Sequence, residues 1–252
     1  MATTAIILAA GKGTRMQSDK AKVLHEVCGR PMLAYVIDAC REAGCGKLLI
    51  VVGHQADRVR AAFSGDDADI EWVEQREQHG TGHAVMMCRD PLAGLSGPVL
   101  VLAGDGPLIR AETLEALLAR HLADGAACTL ATSILDDPGR YGRIVRDERG
   151  ELESIVEFLD ADPEQRAIRE VNVSLYCFDA EALRGALGRL TNDNAKGEYY
   201  LTDTLGILKA DGAKLSAVAA VPPEDVLSIN TVDQLAEVER VMRTRQAAEA
   251  QA

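Results

Sequence analysis

Residues 4–16 read TAIILAAGKGTRM, an apolar run followed at once by a loop with two glycines, a lysine and an arginine. Such a run before a glycine loop predicts a buried strand that ends in a turn. In open α/β sheets ligands bind at the carboxyl ends of strands, so this loop lies where a binding site is expected. Gly11 and Gly13 permit positive φ, and successive N–H groups there can point at one anion. Arg15 and Lys22 would add fixed positive charge.

The two familiar glycine-rich phosphate motifs do not fit this loop. G-x-x-x-x-G-K-[ST] is absent, because Lys12 follows the first glycine and Gly13 comes only two residues after that glycine. G-x-G-x-x-G fails because Met16 stands at its last glycine. From spacing alone, a phosphate cradle and a tight turn with exposed basic residues are equally open interpretations.

The alternation of strand and helix continues along the first half of the chain. Apolar runs occur at 5–8, 47–52, 70–73, 98–103 and 127–134. Helix-like stretches between them occur at 31–44, 55–63, 82–88 and 111–125. Short buried strands separated by amphipathic helices predict a Rossmann-like, doubly wound α/β fold with a mostly parallel mixed sheet.

The second half of the chain is less regular. Residues 141–158 predict two strands around a turn, 171–178 and 215–221 predict strands, and 197–212 and 231–245 predict helices. No glycine/serine linker divides the chain. We therefore predict a single domain over 1–240, with a first half at about 1–125 and a β-rich lobe at about 126–230. Residues 241–252 are expected to form a frayed C-terminal helix or tail.

Composition narrows the classes of function. The chain has 252 residues and a formal net charge of −12, which argues against a broad electrostatic hold on nucleic acid. No apolar run is long enough for a transmembrane helix, and no basic leader precedes the first strand, so we expect a cytoplasmic protein with no membrane partner. The six cysteines are scattered without a C-x-x-C pair, which favours reduced thiols over a zinc site.

A longer stretch around the first loop carries a family pattern. Residues 5–33 combine G-x-G-[ST]-R-M, a K-x-L segment and G-[RK]-P-[ML], and they resemble the opening of the sugar-1-phosphate nucleotidyltransferases. WVEQREQHGTGHAV (72–85) and VLAGDGPLI (101–109) continue the series in the expected order. The resemblance covers roughly residues 4–240. It is closest to the N-acetylglucosamine-1-phosphate uridylyltransferases, a narrower match carried by EQHGTGHAV (77–85) and TNDNAKGEYYLTD (191–203).

The resemblance implies a GT-A-like nucleotidyltransferase fold whose first half binds an NTP and whose second half binds a sugar. In the family reaction a sugar phosphate oxygen attacks the α-phosphate of the NTP, and pyrophosphate leaves. The nucleophile is already an anion, so the protein must mainly align the substrates and neutralise charge. The implied activity is Mg²⁺-dependent synthesis of UDP-N-acetylglucosamine from UTP and N-acetylglucosamine 1-phosphate.

The same resemblance assigns site residues in four groups. The catalytic cations would be Arg15, at the NTP phosphates, and Lys22, at the α-phosphate or at the sugar phosphate. The other NTP-binding residues would be Leu8, Ala9, Ala10, Gly11, Gly13, Gln75, Gly80 and Thr81. The sugar-binding residues would be Gly142, Glu157, Asn172 and Tyr200. The Mg²⁺ ligands would be Asp105 and Asn230, a sparse set that suits an ion that keeps phosphate and water ligands.

Single residues of this set have plainer interpretations as well. Asp105 could be a turn aspartate before Pro107, and Gln75 a surface polar residue. His83, at the start of a predicted helix, is expected to be structural, because this reaction needs no imidazole.

The sugar half departs from the family pattern more than the NTP half does. Leu159 stands where the family usually has a lysine two residues after the glutamate, and Asn172-Val173-Ser174 replaces N-[TS]-G. One hypothesis is that Arg140 supplies the missing positive charge. The sequence therefore leaves open another sugar 1-phosphate or NTP, or a nucleotide-sugar-binding module with little turnover. Oligomeric state stays undetermined. No hexapeptide repeats occur, so acetyl-CoA chemistry and trimerisation through a β-helix are not expected.

Overall fold

The computed structural model describes residues 2–65, 68–194 and 196–250, and its central feature is a nine-stranded sheet. The strands are β1 Thr3–Ala9, β2 Glu26–Val27, β3 Arg30–Pro31, β4 Cys45–Val52, β5 Ile70–Glu74, β6 Pro98–Ala103, β7 Cys128–Ile134, β8 Gly142–Arg146, β9 Leu152–Val156, β10 Glu170–Asp179 and β11 Leu215–Val218. The helices are α1 Met32–Glu42, α2 Ala56–Ala62, α3 Thr81–Met86, α4 Ala111–Asp124, α5 Pro163–Arg166, α6 Ala180–Leu187, α7 Asp203–Ala210 and α8 Val232–Glu249. Three 3₁₀ turns occupy Thr14–Met16, Lys22–Leu24 and Pro223–Asp225.

The main sheet has the strand order β11-β7-β10-β6-β1-β4-β5, with β8 paired to β10 and β9 paired to β8. Along the main order only β10 runs against its neighbours, so the sheet is mixed but mostly parallel. The predicted fold class is therefore confirmed. The strands β2 and β3 form a separate two-stranded sheet.

The strand β1 is continuously apolar because both of its faces are buried. Ile6 lies opposite Leu49 of β4 and Val101 of β6 in the ladder register. The helices α1, α4 and α8 cover one face of the sheet, where Leu33 and Leu117 are fully buried. The helices α3, α6 and α7 cover the other. Two covered faces explain a strand without the polar alternation of a half-exposed sheet.

The chain reverses its direction across the sheet at β1. The strands β4 and β5 follow on one side of β1, whereas β6 lies on the other side. Because β1 and β6 are parallel neighbours, their carboxyl ends meet at the same edge. This is the topological switch point at which open α/β sheets bind ligands.

The start of α7 and the presence of α6 differ from the sequence prediction. The helix expected over 197–212 begins only at Asp203. Residues 197–202 lie outside the helix, because Tyr199 exchanges backbone hydrogen bonds with His79 and Gly82 instead of with its own neighbours. The helix α6 was not predicted at all; its N-terminus is capped by Asp179, whose side chain accepts from the N–H groups of Glu181 and Ala182.

The C-terminal helix is longer than expected. The segment 241–252, expected to be a frayed helix end, continues α8 as far as Glu249, and residues 251 and 252 lie outside the described part. Within the described ranges, no helix combines the length and apolarity needed to cross a bilayer. All six cysteines are free thiols.

A buried carboxylate holds the segment that precedes α8. Asp225, with a side chain 1% exposed, accepts from Arg110 Nε at 2.7 Å and from the guanidinium of Arg245. Arg110 precedes α4 and Arg245 belongs to α8, so one carboxylate ties both helices to the loop between β11 and α8. Asn230 lies at the end of the same loop, so the two ion pairs of Asp225 also restrict the position of Asn230.

Replacing this carboxylate should cost stability. We expect Asp225→Ala to lower the free energy of unfolding by about 3 kcal/mol, because two guanidinium groups lose their buried partner. Denaturant unfolding at neutral pH measures the change. The matched control is Asp57→Ala, whose side chain is 99% exposed and pairs with Arg60; it should change stability by less than about 0.5 kcal/mol. Equal losses in the two variants would contradict the structural role of Asp225.

Candidate functional site

The loop after β1 is shaped by one glycine and one buried methionine. Gly13 has a left-handed backbone (φ 62°) and starts the 3₁₀ turn Thr14–Met16. A Cβ at Gly13 would lie 2.7 Å from Lys22 Cβ, so only glycine lets the two segments approach this closely. Met16 is buried in the core beneath the loop. Met16, which stands at the last glycine position of the G-x-G-x-x-G motif, therefore anchors the turn in the core.

Four predicted site residues converge from three segments. The Lys22 ammonium pairs with the Asp105 carboxylate and donates to Asn230 Oδ1 at 2.8 Å. Arg15 Nη2 donates to the same Asn230 Oδ1 at 2.9 Å. We call Arg15, Lys22, Asp105 and Asn230 the cation cluster. The Lys22 and Asp105 side chains are only 12% and 19% exposed, so their attraction is poorly screened by water.

The two oxygen groups of the cation cluster are held by their neighbours. Asp105 follows β6, and its backbone carbonyl accepts from Ile229 N–H at 3.0 Å. Asn230 Nδ2 donates to Ser228 Oγ at 3.1 Å, which turns Oδ1 toward the two cations. Carboxylate and amide oxygens are ligands that Mg²⁺ prefers. Here both oxygens already contact one cation, the Lys22 ammonium. Within the described residues no group of three or more His, Cys, Asp and Glu side chains could hold a metal ion.

A cavity of about 340 Å³ opens beside the cation cluster. We call it the first cavity. It is lined by Leu8, Ala10, Gly11, Lys22, Val23, Gln75, Gln78, Gly80, Thr81, Ala84, Ala103, Asp105, Ser174 and Glu198. Most of the predicted NTP-binding residues are thus together. The exceptions are Ala9, which is buried in the core, and Gly13, which packs against Lys22.

Gln75 is not a surface residue. It is 3% exposed, and its Nε2 donates to Gly80 O at 3.2 Å and lies 3.0 Å from His83 Nδ1. Burial, followed by the nearby His79, lowers the pKa of His83. A neutral His83 ring can accept the Gln75 hydrogen bond. This contact fits the expected structural role of His83, since it holds the glutamine amide at the cavity wall.

A second cavity of about 210 Å³ adjoins the first. It is lined by Leu8, Thr81, Val101, Glu157, Asn172, Ser174, Tyr176, Lys196, Glu198, Tyr200, Leu201 and Thr202. Three predicted sugar-binding residues, Glu157, Asn172 and Tyr200, are among them. Gly142 is not; it pairs with Asn172 across β8 and β10. The two cavities share Leu8, Thr81, Ser174 and Glu198, and therefore form one continuous cleft.

Asn172 reaches the cleft, but its amide is already used. Its Oδ1 accepts from Ser174 N–H at 3.1 Å, and its Nδ2 donates to Tyr176 OH at 2.7 Å. Ser174 has a left-handed backbone (φ 57°) at the position where the family pattern has glycine. The Asn172 side chain supports that uncommon backbone, so the departure from N-[TS]-G keeps the local turn.

Glu157 is the half-buried carboxylate of the second cavity. Burial raises its pKa, while the Lys196 charge and a hydrogen bond from Thr202 lower it again. Neither Thr202 nor Lys196 is among the site residues predicted from the sequence. The Leu159 side chain is 53% exposed. Arg140 lies over the Phe158 ring at 5.6 Å and does not line either cavity.

A backbone clamp joins the two cavities. Gly82 N–H donates to Tyr199 O, and Tyr199 N–H donates to His79 O, both at 2.8 Å. Leu201 N–H donates to Thr81 Oγ1 at 3.2 Å. Gly80 has φ 106°, and a Cβ there would lie 2.5 Å from Tyr199 O. The predicted base-reading loop and the loop of the sugar half are therefore built as one unit.

The sheet topology, the glycine loop at its switch point and the cation cluster define a nucleotidyltransferase of the NTP transferase class. Residues 5–195 match the MobA-like NTP transferase domain, and the chain belongs to this family.

Individual relatives agree with this assignment. The chain is 54% identical over 243 residues to the bifunctional protein GlmU of Trichlorobacter lovleyi, covering 96% of this chain and 53% of that protein. It is 49% identical over 241 residues to GlmU of a Geobacillus species, covering 96% and 52%. The chain thus spans about half the length of these relatives. Its fold is similar to apo UDP-glucose pyrophosphorylase, with a TM-score of 0.80 at 17% identity, covering 98% of this chain and 100% of that one.

The clamp can be tested with a pair of glycine variants. We expect Gly80→Ala to lower the free energy of unfolding by about 3 kcal/mol, because a strained backbone and a backbone collision add together. Gly212→Ala is the matched control; it also has a positive φ (73°), but no heavy atom lies within 4 Å of its added Cβ. That variant should lose only about 1 kcal/mol. Urea unfolding compares them, and similar losses would show that the clamp adds nothing.

Proposed function

We propose that this chain catalyses Mg²⁺-dependent nucleotidyl transfer, in which UTP and N-acetylglucosamine 1-phosphate give UDP-N-acetylglucosamine and pyrophosphate. The observation that carries the proposal is the cation cluster at the edge of a two-part cleft. The choice of UTP and N-acetylglucosamine rests on the resemblance of residues 77–85 and 191–203 to the N-acetylglucosamine-1-phosphate uridylyltransferases. The GlmU relatives support the same choice.

The NTP would occupy the first cavity. Gly11 and Lys22 line its phosphate end, and Arg15 lies next to Lys22 through their shared partner Asn230. Two fixed cations at this point offset the charge of two polyanions that approach each other. The Gln75 Nε2 group is already directed at Gly80 O and His83 Nδ1, which leaves Gln75 Oε1 as an acceptor for an N–H group on the edge of a pyrimidine. A buried, hydrogen-bonded amide holds that orientation without losing side-chain freedom on binding.

Asp105 and Asn230 would hold Mg²⁺. When bound there, the ion would supply positive charge at the reacting phosphates. Lys22 touches both ligands and also lines the first cavity, so it can donate to a phosphate oxygen while staying beside them. The sugar phosphate would lie in the second cavity, where Glu157 can accept hydrogen bonds from sugar hydroxyl groups.

The proposal includes a cytoplasmic location, because six free thiols are typical of a reducing compartment. It disfavours a module that only binds nucleotide sugars, because binding alone requires neither two converging cations nor two metal ligands.

A substrate panel tests the reaction. Pyrophosphate release is measured for the four common NTPs against several sugar 1-phosphates, with Mg²⁺ and with EDTA. We expect release with UTP and N-acetylglucosamine 1-phosphate, and its loss when EDTA removes the metal. Equal release with another sugar 1-phosphate would overturn the assigned sugar. Tight binding of UDP-sugars without release from any pair would favour the binding module.

The metal assignment is tested by Asp105→Asn, which keeps the shape of the side chain and removes its charge. We expect turnover to fall by at least about 100-fold, because charge stabilisation at a reacting phosphate is lost. Calorimetry should show weaker Mn²⁺ binding in the presence of UTP. The control is Asp211→Asn, which removes a surface carboxylate paired with Arg189 and should leave turnover unchanged. A fully active Asp105→Asn protein would refute the assignment.

A further inference from the structure

The second cavity contains one cation among its lining residues in the described part of the chain. That residue is Lys196, and it faces a wall that also carries the carboxylates Glu157 and Glu198. A sugar phosphate is itself an anion. Without Lys196, the cavity proposed for it would present two carboxylates and no positive side chain, which would repel the ligand and disfavour ionised Glu157.

The Asn194 side chain and backbone hydrogen-bond to the backbone at three residues near the second cavity. Asn194 Oδ1 accepts from the N–H groups of Lys196 at 3.2 Å and Glu198 at 3.3 Å. Asn194 O accepts from Gly197 N–H at 3.0 Å. Two residues further on, Tyr199 enters the clamp to the loop before α3. The Asn194 side chain therefore holds the backbone N–H groups at Lys196 and Glu198, and the backbone clamp at Tyr199 follows directly.

The Lys196 charge is not consumed by a close ion pair. None of the carboxylates in the described part of the chain lies within 4 Å of its ammonium, which sits 5.8 Å from the centre of the Tyr200 ring. A cation over a tyrosine ring is weakly held and keeps its charge available. The charge acts on the half-buried Glu157 from across the cavity.

The surroundings of Glu157 act on its pKa in opposite directions. Burial raises its pKa most, and Asp160 from its own segment and Asp203 at the start of α7 raise it further. Lys196 and the Thr202 hydroxyl act in the opposite direction. The titratable hydroxyl groups of Tyr176 and Tyr200 also face the carboxylate. Lys196 is the one cation in this set of neighbours, within the residues that the structure describes.

We propose that Lys196 is a positioning residue of the second cavity, whose ammonium is the counter-ion of the Glu157 carboxylate that lines the same cavity, so that Glu157 can accept hydrogen bonds from a sugar phosphate's hydroxyl groups. This inference rests on the proposed function. It also assigns a source for the positive charge that the family pattern places at position 159, where this chain has leucine. Arg140, the other candidate for that charge, packs on Phe158 outside both cavities.

The sign of the pH effect follows from this arrangement. Removing the Lys196 charge favours the neutral form of Glu157 and raises its pKa above the wild-type value. As pH falls, the variant therefore loses the carboxylate earlier than the wild type does. At pH values above the pKa of Glu157 in both proteins, Glu157 is a carboxylate in the wild type and in the variant, so the two proteins no longer differ in its protonation.

The first test needs no substrate. The Glu157 carboxyl carbon is followed by ¹³C NMR against pH in the wild type and in Lys196→Gln, with Glu157→Gln used to assign the signal. We expect its titration to move to higher pH in Lys196→Gln and to stay in place in Lys209→Gln. The control lysine lies on α7, donates to Glu153 O and does not line the second cavity. An unchanged titration in Lys196→Gln overturns the proposal.

The second test uses turnover and a double-mutant cycle. In Lys196→Gln, KM for the sugar 1-phosphate should rise about threefold or more on the acid side, while KM for UTP and kcat at high pH stay close to wild type. Lys196→Arg should restore the profile. In a Glu157→Gln background, Lys196→Gln should have no further effect. A rise in KM that persists in that background means direct contact with the substrate and overturns the positioning role.

The two tests separate this inference from the proposed function. If the wild type releases no pyrophosphate from any substrate pair, the proposed function fails, while the NMR titration still decides whether Lys196 controls Glu157. If the wild type is active and the titrations of both proteins coincide, only the role of Lys196 fails.

Discussion

The contact of Lys22 with both Asp105 and Asn230 is the constraint on which the rest of the site depends. It brings together the turn after β1, the end of β6 and the loop before α8, which are remote in sequence. Each partner has its own support: Gly13 makes room for Lys22, Ile229 holds the Asp105 backbone, and Asp225 ties the last loop to two helices. The charged groups are thus placed before any ligand arrives, which is how preorganised electrostatics lowers a barrier.

The backbone clamp around Tyr199 fixes the position of the second cavity relative to the first. Tyr199 and Leu201 hydrogen-bond to His79 and to the first turn of α3, where Thr81 lines both cavities. A ligand in one cavity therefore contacts a residue that is held by the other half. Two substrates that must meet at a fixed distance benefit from such a frame, because misplacement by about 1 Å can cost about 100-fold in rate.

The sequence allowed the sheet to be predicted well because β1, β4 and β6 are buried on both faces, and their apolar runs are continuous. The topological rule then placed the glycine loop and Asp105 at one edge. Local patterns failed where non-local bonds decide the backbone, as at Tyr199 and Leu201, whose hydrogen bonds go to residues 79–82. Nothing near Lys196 in the sequence indicates that it faces Glu157, and the internal use of the Asn172 amide depends on Tyr176 of the same bulged strand.

The two cavities differ in how firmly their charges are held. In the first, Lys22 and Asp105 are largely buried and share close contacts, so a substitution there leaves a charge unpaired at a high cost. In the second, Lys196 lies on an exposed turn and acts on Glu157 through space, and a cation placed on another segment could do the same. A long-range electrostatic role does not require one fixed backbone position, whereas a hydrogen-bonded cluster does. That difference explains how the second half of the chain can carry leucine at position 159 while the glycine loop after β1 keeps its pattern nearly unchanged.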